Sequence, residues 1–161
     1  MHEVSIQITV NDEVIEKHIK PNVLLIDFLR EDLKLTGSHV GCDTSQCGAC
    51  MVLYDGKAIK ACSILVAQLN GKKISTIENL EKDGALHPMQ EAFRNNHGLQ
   101  CGFCTPGMII SAISLVKENN NPNESAIRKH LEGNLCRCTG YQNIVKSIEE
   151  GAIKMRELGD I

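Results

Sequence analysis

Cysteine is the residue type with most chemistry to offer in this chain, and eight of them stand in 161 residues. Their spacing divides them into two sets of four. Cys42, Cys47, Cys50 and Cys62 follow C-x4-C-x2-C-x11-C, and Cys101, Cys104, Cys136 and Cys138 follow C-x2-C-x31-C-x-C. No cysteine is left over. Such a content is about twice that of an ordinary intracellular enzyme, yet below the density of a small secreted disulfide scaffold. Residues 1–10 alternate polar and apolar side chains and lack the basic start, apolar run and small-residue cleavage site of a signal peptide. A reducing, cytoplasmic setting is therefore expected, where thiols serve as metal ligands or catalytic groups rather than disulfides.

The first set has the plant-type ferredoxin spacing, with three thiolates from one tight loop and a fourth from a nearby element around a [2Fe–2S] cluster. Gly41 and Gly48 suit such a loop, because glycine takes unusual backbone angles and lets the chain curl close to an inorganic core. Inward N–H groups can then bond the cluster sulfurs and raise the reduction potential. Structural zinc is the alternative, but zinc sites usually present paired C-x2-C knuckles. Spacing decides less about the second set. Its C-x2-C opens a helix, where Thr105 can cap and Pro106 suits the first turn, and free N–H groups at a helix start favour thiolate. Spacing leaves a second cluster and a zinc site both open, with a redox dithiol weaker because no strand precedes it.

The elements that must position these thiols divide at the same place as the cysteines. Val4, Ile6, Ile8 and Val10 alternate with polar residues, then Asn11 and Asp12 offer a turn before Val14 and Ile15, which predicts an opening β-hairpin. Leu24, Leu25, Phe28, Leu29 and Leu33 recur at helical spacing and predict an amphipathic helix across the sheet. Residues 36–50 have no period and should form a loop ordered by whatever binds the cysteines. A second hairpin is expected over 51–61, turning at Tyr54-Asp55-Gly56-Lys57, and a short strand over 73–77. From about residue 78 the periodicity becomes helical, over 88–96, 106–118, 124–131 and 142–158. Pro122-Asn123 reads as a helix start and Gly133-Asn134 as a stop. The fold class is α+β, with domains at 1–79 and 80–161.

Composition narrows the function classes. Seventeen basic and twenty acidic residues give a net charge of −3, with no basic tract for a phosphate backbone, so nucleic acid is not an expected partner. The longest nearly uncharged stretch, 101–116, is interrupted by Thr105-Pro106-Gly107 and is too short for a transmembrane helix. The six histidines have no paired spacing on a helix face, and surface or packing roles are expected for them. His39, beside the first loop, is assigned hydrogen bonding rather than ligation. Asp43 suits capping of that loop, Arg137 could offset cluster charge or meet a partner carboxylate, and Tyr141 should pack near the C-x-C. Met108, Ile109, Ile113 and Val116 form the core face of a helix.

Three strings carry more information than spacing: GCDTSQCGAC at 41–50, QCGFCTPGMI at 100–109 and GNLCRCTGY at 133–141. Together they resemble the iron–sulfur subunit of the molybdenum hydroxylases, the xanthine oxidase family. The likeness covers nearly the whole chain and includes every cysteine. His39-Val40-Gly41-Cys42 and Tyr141-Gln142-Asn143-Ile144-Val145 look most like the small subunits of aerobic carbon monoxide dehydrogenases and aldehyde oxidoreductases. The resemblance implies a β-grasp ferredoxin-like domain followed by a four-helix bundle, each holding one [2Fe–2S] cluster. It implies a large partner with molybdopterin dinucleotide, a medium partner with FAD, and a dimer of heterotrimers. Electrons would pass from the molybdenum through the helical-domain cluster and then the ferredoxin-like one to FAD. It also implies that Gln100 and Cys138 approach the pterin. The competing reading is a free-standing two-cluster shuttle, for which a charge of −3 offers a weak docking field.

Overall fold

The computed structural model describes residues 2–160. β1 (Val4–Val10) and β2 (Glu13–Ile19) form the expected hairpin. Asn11 and Asp12 take φ of 51° and 68°, the left-handed pair that a two-residue type I′ turn requires and these side chains tolerate. β3 (Met51–Tyr54) and β4 (Lys57–Lys60) repeat this arrangement through Asp55 and Gly56. β5 (Lys73–Ser75) runs parallel to β1 and antiparallel to β3, so the sheet order is β2-β1-β5-β3-β4. Two hairpins that are marginal alone thus become one five-stranded sheet.

The crossing helix is shorter than its apolar spacing suggests. α1 (Leu25–Asp27) widens into a π turn (Phe28–Asp32), closed by the Leu33 N–H on the Phe28 carbonyl at 3.1 Å. Lys34, at φ 60°, ends it. Leu25, Ile26, Phe28 and Leu29 are buried against Ile6, Ile8, Val10 and Val52. Arg30 turns away from that core and donates to the carbonyls of Thr36 and Ser38 at 2.8 and 2.7 Å, anchoring the chain as it enters the cysteine loop.

Four helices follow: α2 (Pro88–Asn95), α3 (Thr105–Glu118), α4 (Glu124–His130) and α5 (Gln142–Leu158). Asn123 caps α4 by accepting from the Ala126 N–H at 2.9 Å, satisfying an otherwise unpaired donor of the first turn. α3 departs from the expected capping. Cys104 occupies the cap position, Thr105 is the first helical residue, and its buried hydroxyl has no partner among the described residues. Every residue from Gly107 to Val116 is buried, because α3 lies between the sheet and the other helices.

Strand β3 serves both sides. Its alternation sends Val52 into the core beneath α1 and Leu53 into the helical core with Met108, Ile113 and Val116. Ser114 accepts from the Ala58 N–H at 3.0 Å, so α3 also covers the edge strand β4. The sheet and the helices therefore share a tightly packed seam, and the cysteine loops lie along one end of it.

Candidate metal centres

Between the π turn and β3 the backbone turns its amides onto sulfur. The N–H groups of Thr44, Gln46 and Cys47 donate to Cys42 Sγ at 3.4, 3.3 and 3.3 Å, and Ala49 donates to Cys47 Sγ at 3.5 Å. These donors, Thr44 foremost, stabilise thiolate and pull the Cys42 thiol down to about 6. The curl depends on left-handed backbone at Asp43, Ser45 and Gly48. Asp43 thus serves the loop through its backbone. Of the two glycines assigned unusual angles, only Gly48 has one, at φ 72°. Gly41 is needed for space, since a Cβ there would stand 2.9 Å from Cys47 Sγ.

Cys50 and Cys62 complete this set from β3's entrance and the turn after β4. Both are buried. Burial pushes Cys50 up to about 11. Lys60, a residue that sequence reasoning passed over, donates to the Ser45 carbonyl at 2.8 Å and fastens the loop to β4. Only its place two residues before Cys62 could have drawn notice.

The second set is gathered from separated elements. Cys104 stands at the start of α3, and burial pushes its thiol up to about 12. Burial is also the largest single influence on Cys136 and opposes ionisation, but hydrogen bonds led by Thr139 outweigh it and lower that thiol. The Thr139 hydroxyl stands 3.1 Å from Cys136 Sγ. Cys101 and Cys138 are exposed, with sulfurs 3.5 Å apart. Tyr141 packs beside the C-x-C as expected: its hydroxyl accepts from the Cys136 N–H at 2.8 Å and donates to the Asn134 carbonyl at 3.1 Å.

Within the second set, Cys101 and Cys138 are in direct sulfur contact at 3.5 Å. Among the described residues, no three His, Cys, Asp or Glu side chains converge on one metal position. Four thiols in each set match the four protein ligands of a [2Fe–2S] cluster.

The two loops touch directly. Leu135 donates its N–H to the Cys47 carbonyl at 2.8 Å. Asn134, 2% exposed, spends its two amide hydrogens on the carbonyls of Gly48 and Gly107, at 3.4 and 3.3 Å. A Cβ on Gly107 would lie 2.1 Å from the Gly48 carbonyl oxygen, so glycine lets α3 approach the first loop. A cleft of about 200 Å³ remains between the loops, walled by Ala49, Phe103, Leu135 and Arg137. Asn134 was legible only as part of a helix stop; nothing in its neighbours along the chain announces a bridge to residue 48.

Both halves of the chain have counterparts among known proteins. Residues 8–76 match the family model of the 2Fe-2S iron-sulfur cluster binding domain, and residues 76–149 that of the [2Fe-2S] binding domain. The caffeine dehydrogenase subunit gamma of Pseudomonas sp. (strain CBB1) is 46% identical over 147 residues, covering 89% of this chain and 88% of the relative. The nicotine 6-hydroxylase small subunit of Paenarthrobacter nicotinovorans is 47% identical over 145 residues, covering 90% and 87%. The quinoline 2-oxidoreductase of Pseudomonas putida 86 contains a chain that superimposes with a TM-score of 0.94 at 37% identity, with complete coverage of both chains. The chain belongs to the iron–sulfur small subunits of the molybdenum hydroxylases.

As a small subunit of this family it is an electron-transfer component of an oxidoreductase complex, and the chain carries two 2Fe-2S binding domains. No helix among the described residues is long and apolar enough to cross a membrane. Gln100, Arg137 and Cys138 are all exposed. Val40, Phe103 and Leu135 are also unusually exposed for large apolar residues.

Proposed function

We propose that this chain carries single electrons between two partner subunits, with a [2Fe–2S] cluster held by Cys42, Cys47, Cys50 and Cys62 and a second held by Cys101, Cys104, Cys136 and Cys138. The inward amides on Cys42 and the close approach of Cys101 to Cys138 support this reading most directly. Bound clusters supply one-electron carriers of low reorganisation. The protein's own residues supply ligand geometry, inward N–H donors on Cys42 and Cys47, and a hydroxyl on Cys136. Cys42, whose amide donors favour the thiolate, would meet a cluster iron as an anionic ligand.

The finer architecture belongs to the same proposal: a β-grasp domain over residues 1–79 and a four-helix bundle over 80–161. So do a large partner holding molybdopterin dinucleotide near Gln100 and Cys138, a medium partner holding FAD, a dimer of heterotrimers, and a cytoplasmic location. Substrate oxidation then takes place on the large partner. Among aldehydes, carbon monoxide and N-heterocycles, the last is favoured by relatives named for caffeine, nicotine and quinoline.

Metal analysis and co-purification test the reading together. The purified chain should contain about four irons and four inorganic sulfides, as two [2Fe–2S] clusters require. Stoichiometric zinc without sulfide would sink it. Recovery with molybdenum and flavin subunits supports the complex, whereas an isolated chain that exchanges electrons with separate enzymes would establish the free-standing shuttle instead.

A further inference from the structure

His39 stands at the junction of the two loops and is bonded to both. Its backbone N–H donates to the Ala49 carbonyl at 3.1 Å, inside the first loop. Its ring Nδ1 lies 2.7 Å from the Phe103 carbonyl, inside the C-x2-C of the second set. A carbonyl can only accept, so Nδ1 carries the hydrogen. The imidazole also stacks on the Phe103 ring, with centroids 4.6 Å apart and planes 19° from parallel. The contact is reciprocal, because the Phe103 ring edge lies near Gly41, beside Cys42: a Cβ on that glycine would be 3.4 Å from it.

The inner contacts do not duplicate this one. Leu135 and Asn134 tie the first loop to the Cys136 side of the second set and to α3. Among the described residues, the His39 to Phe103 bond is the one hydrogen bond joining residues 99–103 to the first loop. Cys101 depends on that stretch for its position and is itself exposed, with little packing to hold it.

We propose that His39 is a positioning residue that fixes the separation of the two thiol sets by clamping Phe103 to the first loop. The proposal rests on the cluster assignment made above. An electron leaving a reduced second centre for an oxidised first one changes each by one electron, with no proton required. Such a step falls steeply with distance, so a clamp that holds the gap constant matters to function without touching either metal ligand.

Spin–spin splitting between the two reduced clusters, read by electron paramagnetic resonance on the full iron-loaded chain, tests the clamp. His39→Ala should keep iron, sulfide and both single-cluster signals while losing the resolved splitting, as the gap becomes variable. His39→Asn places an amide N–H where Nδ1 was and should restore most of it; His39→Phe keeps the stacking alone and should restore less. Unchanged splitting in His39→Ala overturns the proposal. So does loss of the second signal, which would assign His39 to cluster retention. A wild-type chain that lacks two iron signals fails the cluster assignment itself, a result distinct from either.

Discussion

The first thiol set is built by a loop that solvates its own sulfurs, with three cysteines inside nine residues and backbone N–H groups from Thr44, Gln46, Cys47 and Ala49 aimed at two of them. The second is assembled from a helix start and a distant inter-helix turn, with 31 residues between its halves. It exists only when α3, α4 and α5 pack around Ile110, Ile127 and Ile144. One centre therefore rests on local backbone conformation and the other on tertiary packing. Their burial differs in the same sense: Cys50 and Cys62 are inside the first core, whereas Cys101 and Cys138 face outward.

The largest effect expected is all-or-none and separates the two centres. Cys138→Ala should abolish the second paramagnetic signal and keep the first, and Cys50→Ala should do the reverse. Loss of both from either change would break the view that each set forms independently. Gly107→Ala tests where they meet. Its Cβ would strike the Gly48 carbonyl, and overpacking of this kind should cost about 1–3 kcal/mol in chemical unfolding and perturb both signals. Asn134→Leu leaves the Gly48 and Gly107 carbonyls without their shared donor and should cost about 1–3 kcal/mol by the same measurement.

The smallest effect is confined to the helical half. His87 accepts from the Met89 N–H at 3.0 Å to cap α2, and its Nε2 lies 2.8 Å from Asp160. Burial lowers the His87 pKa from 6.5, with Lys117 adding to the shift and Asp160 opposing it. The folded state thus binds fewer protons at this site than the unfolded one. Its contribution is fully present above pH 6.5 and declines as pH falls toward the lowered value. Thermal unfolding should show that decline in the wild type, and His87→Asn, which keeps a side-chain acceptor but does not titrate, should flatten it.

Much of the fold was legible because short-range patterns have few solutions. Alternation in 4–10, Asn11-Asp12 and Asp55-Gly56 predicted hairpins that exist with those turn residues, and the apolar rhythm of α5 matched its bounds. Details set by neighbouring elements escaped. α1 widened into a π turn, Thr105 became a helical residue instead of a cap, and Gly41 proved to need space instead of an unusual angle. Each depends on what a neighbouring element demands, which residue order does not encode locally.

By itself the sequence determined which residues are available as ligands, how they divide, and where sheet gives way to helix, because spacing and periodicity are one-dimensional properties. Only the tertiary structure decided that Leu53 faces the helical core, that Cys138 meets Cys101, and that Asn134 reaches Gly48 and His39 reaches Phe103. Those contacts join residues that lie far apart along the chain. Periodicity says which face of an element is apolar, whereas packing alone selects the surface that covers it and the polar groups brought together at its end.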